Sequence, residues 1–436
     1  MALRLTRRES IIAGSLGLLK LACESSPAAD LRQETPVFSC KPDLRDIIIF
    51  QSQSIDLLEK DQRIKSIKPD GSEEKDLVND GAMNIVVGLT NDGCGIAYLT
   101  RDSQRTALNI MNSDGSFRRE VADLRRGETA GIDFSPNGNR LLAYGNEYFK
   151  EGCIPEHSEG CLQLDLMLTD LRTREIIPIE SGLSGLPQFA PNGKTLAYLS
   201  LKKTREEIDS IDLRLYNVET GNRQNITSGE MINESFAWSP DGETIAYASG
   251  INNVILTITD LSGKKRTVRL EGSMLHALSW SPDGTKIVLN IYDQISENFG
   301  LAIYDRDSGK VLNLPKNREI YQPHAFEWSP DSSKLVISGS TTENIPEGVP
   351  PESVYLSALF IYDLNLDRMD RITISNGVNV DTSSGPRFLL NGSRIVYTGQ
   401  ATLEEPRDLF TINPDGTDRK RLTNNGFNNY VPWLGK

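Results

Sequence analysis

Two of the three histidines in this 436-residue sequence occupy the same position relative to a tryptophan. His276 precedes Trp280 by four residues, and His324 precedes Trp328 by four. Four residues before Trp238 stands Glu234. Two imidazoles and a carboxylate are a donor set for a divalent transition metal. The same groups can move protons. The equivalent position elsewhere holds Ile85, Ala130, Gly185, Ser384 and Asn429. A plainer reading therefore stands beside the chemical one: polar residues gather where strands begin at the edge of a wet channel. What positions these residues decides between the two.

The positioning elements repeat. "FAWSPDGETIAY" (236–247) is an apolar run, a Ser-Pro-Asp-Gly turn and a second apolar run. Ser suits the first turn position, Pro presets φ at the second, and Gly tolerates the position that closes the turn. Related copies are "LTNDGCGIAY" (89–98), "FSPNGNRLLAY" (134–144), "FAPNGKTLAY" (189–198), "WSPDGTKIVL" (280–289), "WSPDSSKLVI" (328–337) and "FLLNGSRIVY" (388–397). Their turn glycines, or Ser332 in the sixth, are separated by 45, 55, 49, 42, 48 and 60 residues. The first and last copies lack the turn proline. Each hairpin is followed by a third strand, a second turn and a short polar strand, as in "LFTINPDGTDRKRLT" (409–423). Four short strands per unit at this period predict an all-β propeller. The aromatic residues that open each hairpin recur once per unit, which predicts packing between blades.

The chain ends complete the pattern. Residues 44–80 read as a blade without its first strand, and "NYVPWLGK" (429–436) reads as a first strand and nothing more. The C-terminal strand is expected to complete the N-terminal blade, which leaves the ring no open edge. Eight blades are expected, with seven as the alternative. Glu234, His276 and His324 then fall on three consecutive blades, at the channel end opposite the Ser-Pro-Asp-Gly turns. The longest loops, 146–161 and 340–353, leave from that same end.

The repeated "WSPDG…IAY…LT" pattern resembles the TolB-like, WD-repeat-like propeller family over nearly all of residues 44–436. The resemblance speaks to fold more than to activity. It includes the TolB translocation component and the propeller domains of some peptidases and lyases, and some pectin-fragment lyases hold metal on histidines in a similar place. No G-x-S-x-G is present, so no serine-hydrolase elbow is written. The first functional reading is a binding or scaffold module for a protein, peptide or glycan at the cell envelope. The second is a metal-assisted, lyase-like carbohydrate-active enzyme using Glu234, His276 and His324. A third is an accessory propeller for a separate peptidase. "DLNLDRMD" (363–370) resembles half a calcium loop, but Arg368 stands where that loop needs Gly.

Residues 1–29 read as an export signal, with 30–43 a linker and 44–436 the propeller. Arg4, Arg7 and Arg8 precede an uncharged stretch from Ile11 to Leu19. "LLKLAC" resembles a lipoprotein cleavage box and makes Cys23 the expected lipid-attachment site, with cleavage near Ala29 as the alternative. A periplasmic or envelope location follows. Cys153 and Cys161 bracket a turn-rich loop and are expected to pair. Cys40 and Cys94 could also pair, and nothing in the sequence decides it. The formal net charge is −13, so no nucleic-acid partner is expected. A monomer is expected.

Overall fold

The computed structural model describes residues 38, 47–54, 62–102, 105–123, 128–146, 164–171, 173, 175–203, 208–250, 252, 254–295, 298–315, 320–341, 356–373, 379–380, 385–400 and 405–433. The export signal, Cys23, Cys40, Cys153 and Cys161 lie outside them. The described residues are all β, without a helix, and no helix among them is long and apolar enough to cross a membrane.

The strands form antiparallel four-stranded groups, one per repeat. A representative group runs Met274–Trp280, Lys286–Asp293, Asn298–Asp305 and Val311–Asn313. Its first strand is innermost and its last, short strand lies outermost. One sheet holds two groups, joined by a single parallel bridge from Gln62 to Met83. One of these contains the first and the last of the described strands. Asn428–Trp433 pairs antiparallel with Ile48–Gln53, with Ser52 opposite Asn429 and Gln51 opposite Tyr430.

The turn motif explains itself in hydrogen bonds. Ser239 Oγ donates to Asp241 Oδ1 at 2.5 Å and accepts from Thr244 N–H at 3.0 Å. Asp241 Oδ1 accepts from Glu243 N–H at 2.9 Å. These bonds hold the Asp241 carboxyl below its usual range against the opposing effect of partial burial. Gly242 closes the turn at φ +69°. The turn proline serves the neighbouring group. A Cβ added at Gly242 would lie 3.3 Å from Pro191 Cδ, and one at Gly193 would lie 3.4 Å from Pro136 Cδ. Ser332 breaks the pattern by standing at φ 61° without being glycine. Its hydroxyl accepts from Asp283 N–H of the preceding turn at 3.0 Å, which offsets the strain.

The closing threonine, where a unit carries one, also has a purpose. Thr227 Oγ1 accepts from Leu213 N–H, Thr373 Oγ1 from Leu359 N–H and Thr423 Oγ1 from Leu409 N–H, at 2.9, 2.9 and 3.0 Å. Each ties the chain just past the outermost strand to the third strand.

The core lies between groups rather than inside one. Ala246, Ala248, Leu256 and Ile258 of one group meet Trp280, Ile287, Leu289 and Tyr304 of the next. Tryptophans stitch these seams. The indole N–H of Trp238 donates to Gln188 C=O, that of Trp280 to Ala237 C=O and that of Trp328 to Ser279 C=O, each at 3.2 Å. The once-per-repeat aromatics are therefore seam residues. The 363–370 segment is a turn. Asp363 Oδ1 accepts from Asn365 and Leu366 N–H, Lys334 pairs with the same carboxylate, and Arg368 pairs with Asp370.

Candidate functional site

The innermost strands are not regular. In Met274–Trp280, Leu275 pairs with Ile291 and Ala277 with Asn290, which leaves His276 as the extra residue of a β-bulge. In Ile320–Trp328, Pro323 pairs with Gly339 and Ala325 with Ser338, and His324 is the extra residue. Ala130 holds the same place between Thr129 and Gly131. Glu234 lies in the irregular stretch between Ile232 and Phe236, and its side chain is outside the described residues. A bulge re-aims the side chain it carries and recurs beside functional sites. Both candidate histidines are thus bulged residues on neighbouring groups. They lie at the strand end away from the Ser-Pro-Asp-Gly turns.

Their surroundings differ. The His276 imidazole is exposed at one edge and joins two rings, with its centroid 4.9 Å from that of Phe299 and 6.2 Å from that of Tyr292. Tyr292 and Phe299 are themselves 4.9 Å apart. His324 Nε2 lies 2.6 Å from the hydroxyl of buried Ser340. Partial burial disfavours the imidazolium and lowers the pKa of both histidines from the ordinary value. Burial thus favours the neutral ring in both, the form that accepts a hydrogen bond or ligates a metal.

The residues that pair across the bulges are polar and buried. Asn290, opposite Ala277, is 4% exposed, and Ser338, opposite Ala325, is 0% exposed. Asn290 Nδ2 donates to Pro323 C=O beside His324 at 3.4 Å, while its Oδ1 has no hydrogen-bond partner. Ser338 Oγ also has none. Buried oxygens of this kind are satisfied by water or by a bound polar group. Sequence reasoning passed over Asn290, Ser338, Ser340, Tyr292 and Phe299. A signal existed for two of them, because the strand position held by Leu199 and Ala248 in earlier copies turns polar at Asn290 and Ser338.

Asn429 corrects the expectation that this position lines a channel throughout. It is 0% exposed. Its Nδ2 lies 3.2 Å from Asp408 Oδ1, 3.2 Å from Thr423 Oγ1 and 3.3 Å from Arg407 C=O, so it is a buried donor at the junction of the chain ends. Among the described residues no group of three His, Cys, Asp or Glu is arranged to hold a metal ion.

The repeat-built sheets around bulged inner strands define an all-β propeller. No family model matches the chain. It is 30% identical over 126 residues to an uncharacterized peptidase, YuxL, of Bacillus subtilis (strain 168), a match that spans 28% of this chain and 18% of that protein. Among solved structures, a prolyl endopeptidase studied for inter-domain dynamics superposes with a TM-score of 0.56 at 10% identity, over 81% of this chain and 50% of that one. An oligogalacturonate lyase in complex with manganese superposes with a TM-score of 0.51 at 14% identity, over 84% of this chain and 96% of that one. TolB from Acinetobacter baumannii gives 0.45 at 16% identity, over 89% and 66%. The chain thus spans about half the endopeptidase and a small part of the curated peptidase. At these identities the structural likeness is one of fold.

Proposed function

We propose that this protein is an exported, eight-bladed propeller that binds a protein, peptide or glycan at the cell envelope, and that the channel end bearing His276 and His324 is its recognition surface. The observation that carries the reading is the pair of bulged histidines flanked by the unpaired buried oxygens of Asn290 and Ser338. Exposed apolar side chains at the same strand end support it: Ile208, Met231, Met274 and Ile295, the last 95% exposed. Single apolar side chains in water are common, and these four serve the reading as candidate contact points. The disulfide at Cys94 supports folding in an oxidising compartment.

A photo-crosslinking amino acid at position 295 is expected to capture an envelope component in intact cells. The same group at position 366, on a turn at the opposite strand end and 62% exposed in Leu366, is expected to capture none. The His276→Ala/His324→Ala double variant should lose the 295 adduct while keeping its melting temperature. Equal capture at both positions would place recognition elsewhere.

The placing of two imidazoles at matching bulges on neighbouring groups favours a second reading, a metal-assisted enzyme acting on acidic oligosaccharides, with Glu234, His276 and His324 as ligands. On that reading, elemental mass spectrometry of mature protein prepared without chelator finds a transition metal near one per chain, and His276→Ala and His324→Ala each lose it. A metal-free wild type removes the reading and leaves the binding module standing.

A further inference from the structure

The turn glycines Gly193, Gly242, Gly284 and Gly392 each lie against the turn proline of the preceding group, and Gly138 does not. Gly138 follows the 89–98 turn, where Asn91 stands in place of proline. A Cβ at Gly138 would meet Thr90 Cγ2 at 3.1 Å and Phe38 Cδ2 at 3.5 Å. Phe38, which precedes the first strand, has come in to fill the gap. Its ring stands edge-on to Phe134 with centroids 5.7 Å apart, and it packs against the cluster around Ile132 and Leu141. It also covers Gly95 so closely that a Cβ there would lie 2.7 Å from the ring. The neighbour of Gly95 is Cys94, which is 4% exposed and disulfide-bonded.

We infer that the segment ahead of the first strand is a covalent strap: Phe38 replaces the missing turn proline, and a Cys40–Cys94 disulfide locks it in place. Chain reach selects the partner. Cys40 is two residues from Phe38, so no more than about 7 Å of chain separates it from a ring already seated beside Cys94. Cys153 and Cys161 belong to the connection between Asn146 and Leu164, which starts and ends at the other end of the strands, and need a long excursion of chain to reach Cys94 where Cys40 needs almost none. Cys23 lies in the expected signal region. Closing the bond moves two electrons and two protons from the two thiols to a protein disulfide of the exchange class, which leaves as a dithiol. The strap joins residues 40 and 94, a long loop whose closure restricts the unfolded chain strongly.

The test uses the full chain, exported and purified without reductant. Peptide mapping after alkylation without reduction should find one linked pair containing Cys40 and Cys94. A Cys94 linked to Cys23, Cys153 or Cys161, or a Cys40 alkylated without reduction, overturns the inference without any variant having to fold. Reductant should then lower the melting temperature by on the order of 5 °C, and Cys40→Ser should already carry that loss and respond to reductant less than the wild type does. Gly95→Ala evicts the ring without backbone strain, since Gly95 has no positive φ. It should match Phe38→Ala, and wild-type stability in both would remove the role given to Phe38.

Discussion

A chain ending at Phe427 is expected to lose its cooperative fold at 37 °C. The strand removed, Asn428–Trp433, pairs with Ile48–Gln53. Ile48, Ile49 and Phe50 of that partner are at most 1% exposed. Fully uncovering such side chains costs about 1.5–3 kcal/mol each, and the backbone groups left on a bare edge invite pairing between molecules. A domain's whole stability is about 5–15 kcal/mol, so the loss is of the same size. The expected result is aggregation in place of a melting transition. A soluble truncated protein that melts at the wild-type temperature would show that the chain ends contribute nothing to the fold.

A single substitution separates pairing from the side-chain network. In Asn429→Asp the shape is kept and the donor is lost, which sets a carboxylate against Asp408. Asp408 is 2% exposed and already engaged by Thr423 Oγ1 at 2.6 Å and by Arg421. An uncompensated buried charge costs about 3–5 kcal/mol. Urea unfolding should show the midpoint falling by that equivalent at unchanged slope, and Asn429→Ala should fall less.

Local chemistry was legible in the sequence wherever one residue type has one conformational use. The Ser-Pro-Asp-Gly turns were readable because Gly242 and its equivalents must stand at positive φ, and the aromatics were readable because they recur once per unit. Register was not legible. Whether His276 pairs or bulges depends on how Met274–Trp280 aligns with Lys286–Asp293, and no residue in either strand announces the extra position. Asn429 shows the same limit from the other side. It shares an alignment column with His276 and His324, yet neighbours contributed by distant segments bury it. Phe38 was invisible for a related reason, since the vacancy it fills is created by a turn fifty residues away.

Trp280 offers the sharpest test of the seams, because its size and its hydrogen bond can be removed separately. The side chain is 6% exposed, packs among the alanines and isoleucines of the seam, donates to Ala237 C=O at 3.2 Å, and lies under Arg306 with the guanidinium 5.6 Å from the ring. Trp280→Ala leaves a cavity the flanking strands cannot close, and a cost of about 3–5 kcal/mol is expected. Trp280→Phe keeps an aromatic where Phe134, Phe189 and Phe388 show that one fits, at 4%, 8% and 6% exposure. It loses the indole donor and leaves a carbonyl unpaired, so about 1–2 kcal/mol is expected. Urea midpoints of the two variants should therefore differ by more than the Phe variant differs from wild type. Equal losses would make the indole hydrogen bond, and not the packed volume, what holds adjacent blades together. Two wild-type midpoints would deny that the seams carry the stability of the fold.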